Sequence, residues 1–478
     1  MENAMIARGS NPTIEKGAVE SRTDSLIKED IEDQLRADTR VSNYDVDVTV
    51  ENGVVTLMGE VSSYRAKNSA GDNAWTVRGV IDVINNLTVQ YNTITEAVPE
   101  DVDIASNVKG SLVWDPDVEA TDIKVFAENK TVTLEGTVDS LWKKHIAEDI
   151  AWNHTGVLDV KNKLVIVPKS DITDEAAARN IIDSVNRKMI ADIDINDIDV
   201  KVENGKAVLN GSVGDTVDWE SVYNSAYYTS GIKEIEDNLT IEEIDEAAAE
   251  KSALMDRKGR TDVTIKEDIE NQLKADARIL SNDVHVTVED GTVTFTGDVP
   301  SYRAKIAASD NAWSVPGVKN VLNHLTVLYD ETVVEVPADH EIKANIESSL
   351  SWDPDVDSRE ITVTVENGNV TLEGTVESLW KRYLAEDIAW NHIGIVDVKN
   401  KLAVASPENT TDKTAVSNIV ESIDRNLHVD VDDVDVEVRN GEAIINGTVN
   451  SVEAWHAVYN AALFTSGVKK VEDNLLIA

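Results

Sequence analysis

The chain repeats itself, and this limits what it can fold into more than any other property of the sequence. The stretch IKEDIEDQLRADTR from Ile27 to Arg40 returns as IKEDIENQLKADAR from Ile265 to Arg278. EDIAWNHTGVLDVKNKL from Glu148 returns as EDIAWNHIGIVDVKNKL from Glu386, and both offsets are 238 residues. The offset falls to 236 by Gly205 and Gly441, which places a two-residue difference in the DIDINDIDV stretch after Met189. The chain is a duplicated half.

Each half holds three shorter copies. A glycine closes a period-two apolar run at Gly59, Gly136, Gly211, Gly297, Gly374 and Gly447, and a second glycine follows 20 residues later at Gly79, Gly156, Gly231, Gly317, Gly394 and Gly467. The copies occupy 25–90, 101–167, 173–241, 262–328, 338–404 and 412–478, behind an N-terminal segment 1–24. A charged, Ala-rich linker at 242–261 separates the halves.

The periodicity switches within a copy in a fixed order. Ile27, Ile31 and Leu35 recur every four residues, which predicts a short amphipathic helix. Val46, Val48 and Val50 then alternate with Asp45, Asp47 and Thr49, Asn52-Gly53 supplies a hairpin turn, and Val55, Leu57 and Val61 resume the alternation. Between the two glycines Ala70 and Ala74 stand four apart, as do Ala147 and Ala151, Ala308 and Ala312, and Ala385 and Ala389. Small residues at that spacing let a second helix lie close to a sheet. Gly79 and its counterparts fall where a helix-ending glycine belongs, and VIDVINNLTV reads as a third strand. Each copy is therefore expected to be an αββαβ unit of an α+β fold, a three-stranded mixed sheet with two helices on one face.

The pattern V-x-V-x-N-G-x-V-x-L-x-G-x-V, an Ala-spaced helix and G-V-x-x-V-x-N-x-L resembles the BON domain, named for bacterial osmotically induced and nodulation proteins. It reads DVTVENGVVTLMGEV and GVIDVINNL in the first copy, and ITVTVENGNVTLEGTV and GIVDVKNKL in the fifth. The second copy departs at its turn, with Asn129-Lys130 for Asn-Gly. The resemblance implies non-enzymatic binding modules, often in envelope proteins linked to osmotic stress, with phospholipid contact and ion sensing among the activities attributed to the family. This chain departs from the envelope members in carrying six copies instead of one to three.

Composition excludes several functions. Asp and Glu number 89 against 44 Lys and Arg, a formal charge of −45, so a nucleic-acid surface of pooled basic residues is not expected. With no cysteine there are no disulfides, thiolate metal sites or cysteine nucleophiles. MENAMIARGSNPTIEKG lacks the apolar core of a secretory signal, and no later stretch approaches 18 apolar residues. The expected location is the cytoplasm, with envelope association by a non-standard route as the alternative.

The duplication tests candidate sites, because a residue used in a repeated site should reappear in the other half. Of eight histidines only His154 and His392 correspond, both in Trp-Asn-His just before a helix-ending glycine. There a histidine can bond the last helix carbonyls, and no second His stands at zinc-ligand spacing. Asp192, Asp194, Asn196 and Glu203 match positions of a calcium loop, but Asp197 replaces its glycine and the alternating isoleucines read as the start of a strand. Trp114-Asp115-Pro116-Asp117 and Trp352-Asp353-Pro354-Asp355 read as helix-ending turns, with a weak cation site as the other reading. No nucleotide loop or nucleophile motif is visible, and no cofactor, metal or catalytic residue is expected.

Trp75, Trp152, Trp313 and Trp390 each precede the closing glycine by four residues. They either plug each small core or serve contacts between domains or chains, where aromatics are enriched. The expectation for function is a non-catalytic tandem scaffold, stress-associated and self-associating as a homo-oligomer or filament. The alternatives are a peripheral envelope protein that binds a phospholipid surface and a cation-responsive module.

Overall fold

The computed structural model describes residues 13–14, 22–41, 45–91, 98–169, 172–188, 198–213, 216–241, 260–279, 283–329, 335–405, 410–426, 429, 434–449 and 452–477. The first repeat shows how the sequence builds the unit. Thr23 caps helix α1, Asp24–Ala37, by accepting a hydrogen bond from Leu26 N, and α1 buries Ile27, Ile31 and Leu35. Each of these side chains, almost wholly removed from water, stabilises the unit by about 1.5–3 kcal/mol. The strands Val46–Glu51 and Val54–Val61 pair antiparallel with Val50 opposite Val55. Ser63 caps α2, Tyr64–Trp75, and Ala70 and Ala74 on it are fully buried. The last strand, Asp82–Asn85 continued by Thr88–Val89, runs parallel to Val54–Val61, which is therefore the middle strand of a mixed sheet.

Gly59 and Gly79 have separate steric reasons. Gly59 has φ 129°, and a Cβ there would lie 2.6 Å from the carbonyl oxygen of Asp45, the residue that leads into the neighbouring strand. Gly79 has φ 94° and packs on the Ile27 side chain, where a Cβ would come within 2.9 Å of Cδ1. At the divergent second turn Asn129 and Lys130 take φ 51° and 63°, the same left-handed geometry that Asn52 and Gly53 adopt.

One pair of hydrogen bonds, present in all six repeats, has no counterpart in the periodicity. The Asp24 carboxylate, at the start of α1, accepts hydrogen bonds from Asn52 N and Gly53 N at 2.8 and 2.9 Å, tying the helix to the hairpin turn. Asp101, Asp174, Asp262, Asp339 and Asp412 do the same for their own turns.

The other repeats follow the same order. Their helices are α3, Asp101–Trp114, and α4, Leu141–Trp152; α5, Asp174–Lys188, and α6, Thr216–Tyr227; α7, Asp262–Ala275, and α8, Tyr302–Trp313; α9, Asp339–Trp352, and α10, Leu379–Trp390; α11, Asp412–Arg425, and α12, Val452–Leu463. Each has the same three-stranded mixed sheet. In repeat 3, Thr13–Ile14 adds a parallel strand beside Thr240 and Ile241. Asp192, Asp194, Asn196 and Asp197 of the calcium-loop pattern lie outside the described residues, as does the linker up to residue 259, while Glu203 ends the strand Asp199–Glu203.

The repeats pair across the two halves in nested order. Helix α1 packs on α11, α3 on α9 and α5 on α7, so repeat 1 meets 6, repeat 2 meets 5 and repeat 3 meets 4. Because repeats 1, 2 and 3 correspond to 4, 5 and 6, the arrangement is a pseudo-two-fold whose axis passes between repeats 2 and 5. Neighbours along the chain also merge, since one buried apolar cluster runs through repeats 2 and 3 and another through 4 and 5.

Candidate interaction site between repeats

The side chains that recur at fixed offset converge where repeats 1, 2, 4 and 5 meet. Helices α3 and α9 end in Trp114 and Trp352, whose rings stack 5.3 Å apart at 9° across the axis. Thr155 N donates to Trp352 O and Ile393 N donates to Trp114 O, both at 2.8 Å, so the contact is reciprocal.

His154 and His392 stand on either side of this stack. His154 Nδ1 donates to Ile150 O at 2.6 Å, which leaves Nε2 of the neutral ring to accept from the Ser111 hydroxyl at 3.0 Å. His392 repeats the arrangement with Ile388 O and Ser349. Each also lies against the other half's tryptophan, His154 on Trp352 and His392 on Trp114. Burial pushes both histidines down to about 4, so they are neutral at ordinary pH.

The Trp-Asp-Pro-Asp turns hold a cation, and it is an arginine from another repeat. Arg303, on α8, bonds Asp115 at 2.8 Å and Asp117 at 2.9 Å. Arg65, on α2, bonds Asp353 at 3.2 Å and Asp355 at 2.5 Å. Asp115 and Asp353 are almost completely buried, and burial raises both carboxyls while the guanidinium opposes the rise. The residue before each arginine anchors the same contact to the sequential neighbour. Tyr64 stacks on Trp152 at 4.2 Å and 9°, and Tyr302 stacks on Trp390 at 4.2 Å and 6°. Tyr91 donates to the carbonyls of His154 and Val157, and Tyr329 to those of His392 and Ile395.

The outer pairs use the same aspartate differently. Asp38 and Asp276 occupy the position of Asp115 and Asp353, but the residue two places on is Arg40 or Arg278. Arg40 folds back on Asp38 at 2.6 Å, Asn73 donates to the same carboxylate at 2.8 Å, and the guanidinium lies 3.4 Å above the Phe464 ring of repeat 6. Arg278, Asp276, Asn311 and Tyr228 repeat this between repeats 4 and 3.

Of the four tryptophans singled out in the sequence, Trp152 and Trp390 thus lie in contacts between repeats. Trp75 and Trp313 are half-buried, Trp75 against the core cluster of repeat 1 and Trp313 against the cluster that runs through repeats 4 and 5. Sequence reasoning did not pick out Tyr64, Arg65, Tyr302 and Arg303, although Ser-Tyr-Arg-Ala-Lys recurs verbatim at 63–67 and 301–305. Among the described residues there is no group of three or more His, Asp or Glu placed to hold a metal ion, and no helix is long and apolar enough to cross a membrane.

The BON domain family matches six times, at residues 23–91, 100–168, 174–243, 261–329, 338–406 and 411–478. The chain belongs to the BON family. Relatives include the outer membrane lipoprotein DolP of Haemophilus influenzae, 31% identical over 153 residues, which are 32% of this chain and 75% of the lipoprotein. Osmotically-inducible protein Y of Escherichia coli is 32% identical over 143 residues, covering 30% of this chain and 71% of that protein. A 21 kDa hemolysin of Actinobacillus pleuropneumoniae is 26% identical over 160 residues, 34% of this chain and 76% of the hemolysin. Each therefore matches about a third of this BON array.

Proposed function

We propose that this tandem BON protein is a non-enzymatic scaffold of the osmotic stress response, cytoplasmic and self-associating. The observation that carries the reading is the use made of the recurring side chains. The Ser-Tyr-Arg helix starts, the Asp-x-Asp turns, the Trp-Asn-His helix ends and the four tryptophans serve repeat-to-repeat contacts or repeat cores. The likeness to an osmotically inducible protein supports the stress association. Light scattering tests self-association. A mass above 52.3 kDa that grows as salt or divalent cation screens the −45 charge is the expected result, and a constant 52.3 kDa up to about 100 μM removes it.

A peripheral envelope role with phospholipid contact is the second reading, favoured by the likeness to an outer membrane lipoprotein. Phe126 adds to it. This side chain is 51% exposed on the open face of the repeat 2 sheet, in register with Thr133 and, beyond it, Lys161. Pelleting with anionic liposomes at low salt without divalent ions separates the two. Strong binding there, lost in Phe126→Ser, favours the envelope role over the scaffold.

A further inference from the structure

We infer that each half of the chain is self-complementary: the surface that residues 22–241 present to residues 260–477 fits a second copy of residues 22–241. The inference goes beyond the scaffold reading and does not require the intact chain to self-associate. An interface with two-fold symmetry needs both members of every contact on one protomer, so that i meets j and j meets i. The first half meets this condition.

Its Arg65 meets Asp353 and Asp355, and it carries their counterparts Asp115 and Asp117, which accept the corresponding Arg303. Its Gln34 Nε2 donates to Ser422 Oγ at 3.0 Å, and its Ser184 Oγ donates to Gln272 Oε1 at 3.0 Å, so Gln34 and Ser184 are the two ends of one repeated Gln–Ser contact, with the donor exchanged between its copies. Arg40 covers Phe464 at 3.4 Å, and Tyr228 is covered by Arg278 at 3.6 Å. On the axis Trp114 meets its own counterpart, and the two backbone bonds there run in both directions. Two copies of the first half can therefore restore each of these contacts: Arg65 with Asp115 and Asp117, Gln34 with Ser184, Arg40 with Tyr228, and Trp114 with Trp114. The partner this surface selects is a three-repeat array with a Ser-Tyr-Arg helix start in its first repeat, an Asp-x-Asp turn in its second and an aromatic at the end of its third.

The test keeps a full six-repeat chain. A chimera is made of residues 1–259 followed by a second copy of residues 22–241. It should match the native protein in mass under each solution condition, melt in one cooperative transition and sediment at the native rate. Arg65→Ala in both copies should lower its melting midpoint as much as Arg65→Ala with Arg303→Ala lowers that of the native chain. A chimera that aggregates or lacks a cooperative melt overturns the inference. So does one that sediments as two undocked halves, or whose midpoint is insensitive to the arginine change. Light scattering of the native chain decides self-association separately, so either idea can fail without the other.

Discussion

The two kinds of aspartate turn, in repeats 1 and 4 on one side and 2 and 5 on the other, carry opposite charges two residues after the shared aspartate and behave oppositely. Where Asp38 is followed two residues later by Arg40, the carboxylate is neutralised within its own repeat and the arginine is left flat against Phe464. Where Asp115 is followed by Asp117, two carboxylates face one another and the site is closed by Arg303 from another repeat. The surroundings have changed in concert. Asn73, which serves Asp38, is replaced at the corresponding place by Ile150. Thr39, whose N–H bonds Phe464 O, is replaced by Pro116, which has no N–H, and the cross-half backbone bond moves to Trp114 O. A repeated fold thus acquires two docking modes through a few residues at the end of its first helix.

The comparison is sharpest when an arginine is removed. Arg65→Ala leaves Asp353 and Asp355 buried without a counter-charge, and unfolding stability measured by urea denaturation should fall by about 3–5 kcal/mol. Arg40→Ala leaves Asp38 with the Asn73 amide, so its loss should be roughly 2 kcal/mol. Equal losses would mean that the two turns are energetically alike.

The central pair should also respond to acid. His154 and His392 are neutral in the folded state, with pKa values of about 4, whereas an unfolded histidine titrates near 6.5. Between these values the unfolded chain binds more protons. The stabilisation is complete above pH 6.5 and is lost as pH falls toward 4, by about 2 kcal/mol per histidine at pH 5. His392→Gln should flatten that part of the pH–stability curve by one histidine's share; an unchanged slope would assign the acid sensitivity elsewhere. The smallest effect is expected at the sequential contacts, where Tyr302→Leu removes the stack on Trp390 and should cost about 1 kcal/mol in a thermal melt.

What could be read from the sequence divides by distance along the chain. The αββαβ unit rests on glycines, apolar periods and turn residues that act within some 70 residues, and the mixed sheet with its helices follows those signals. Partner choice was hidden because Gln34 and Ser422, 388 residues apart, look like ordinary surface residues of two helices. The Trp-Asp-Pro-Asp sequence marks a turn and its paired carboxylates suit a cation, yet nothing local says that the cation is a guanidinium from another repeat. The Asp24 tether escaped for a related reason, since an aspartate at a helix start already has a sufficient local role at the positive end of the helix dipole. Only its recurrence in six copies points to the hairpin turn.

The nested pairing has a mechanical consequence. Tension applied at Arg22 and Ile477, the outer limits of repeats 1 and 6, loads the contact between these two first, because they are the outermost pair. The pair on the axis is shielded until that contact parts, and repeats 3 and 4 are shielded longest. The array should therefore open from the ends inward like a zip fastener, in three steps of rupture before the individual repeats unravel. During synthesis the order reverses: repeats 3 and 4 can join as soon as the fourth leaves the ribosome, whereas the first repeat waits for the last.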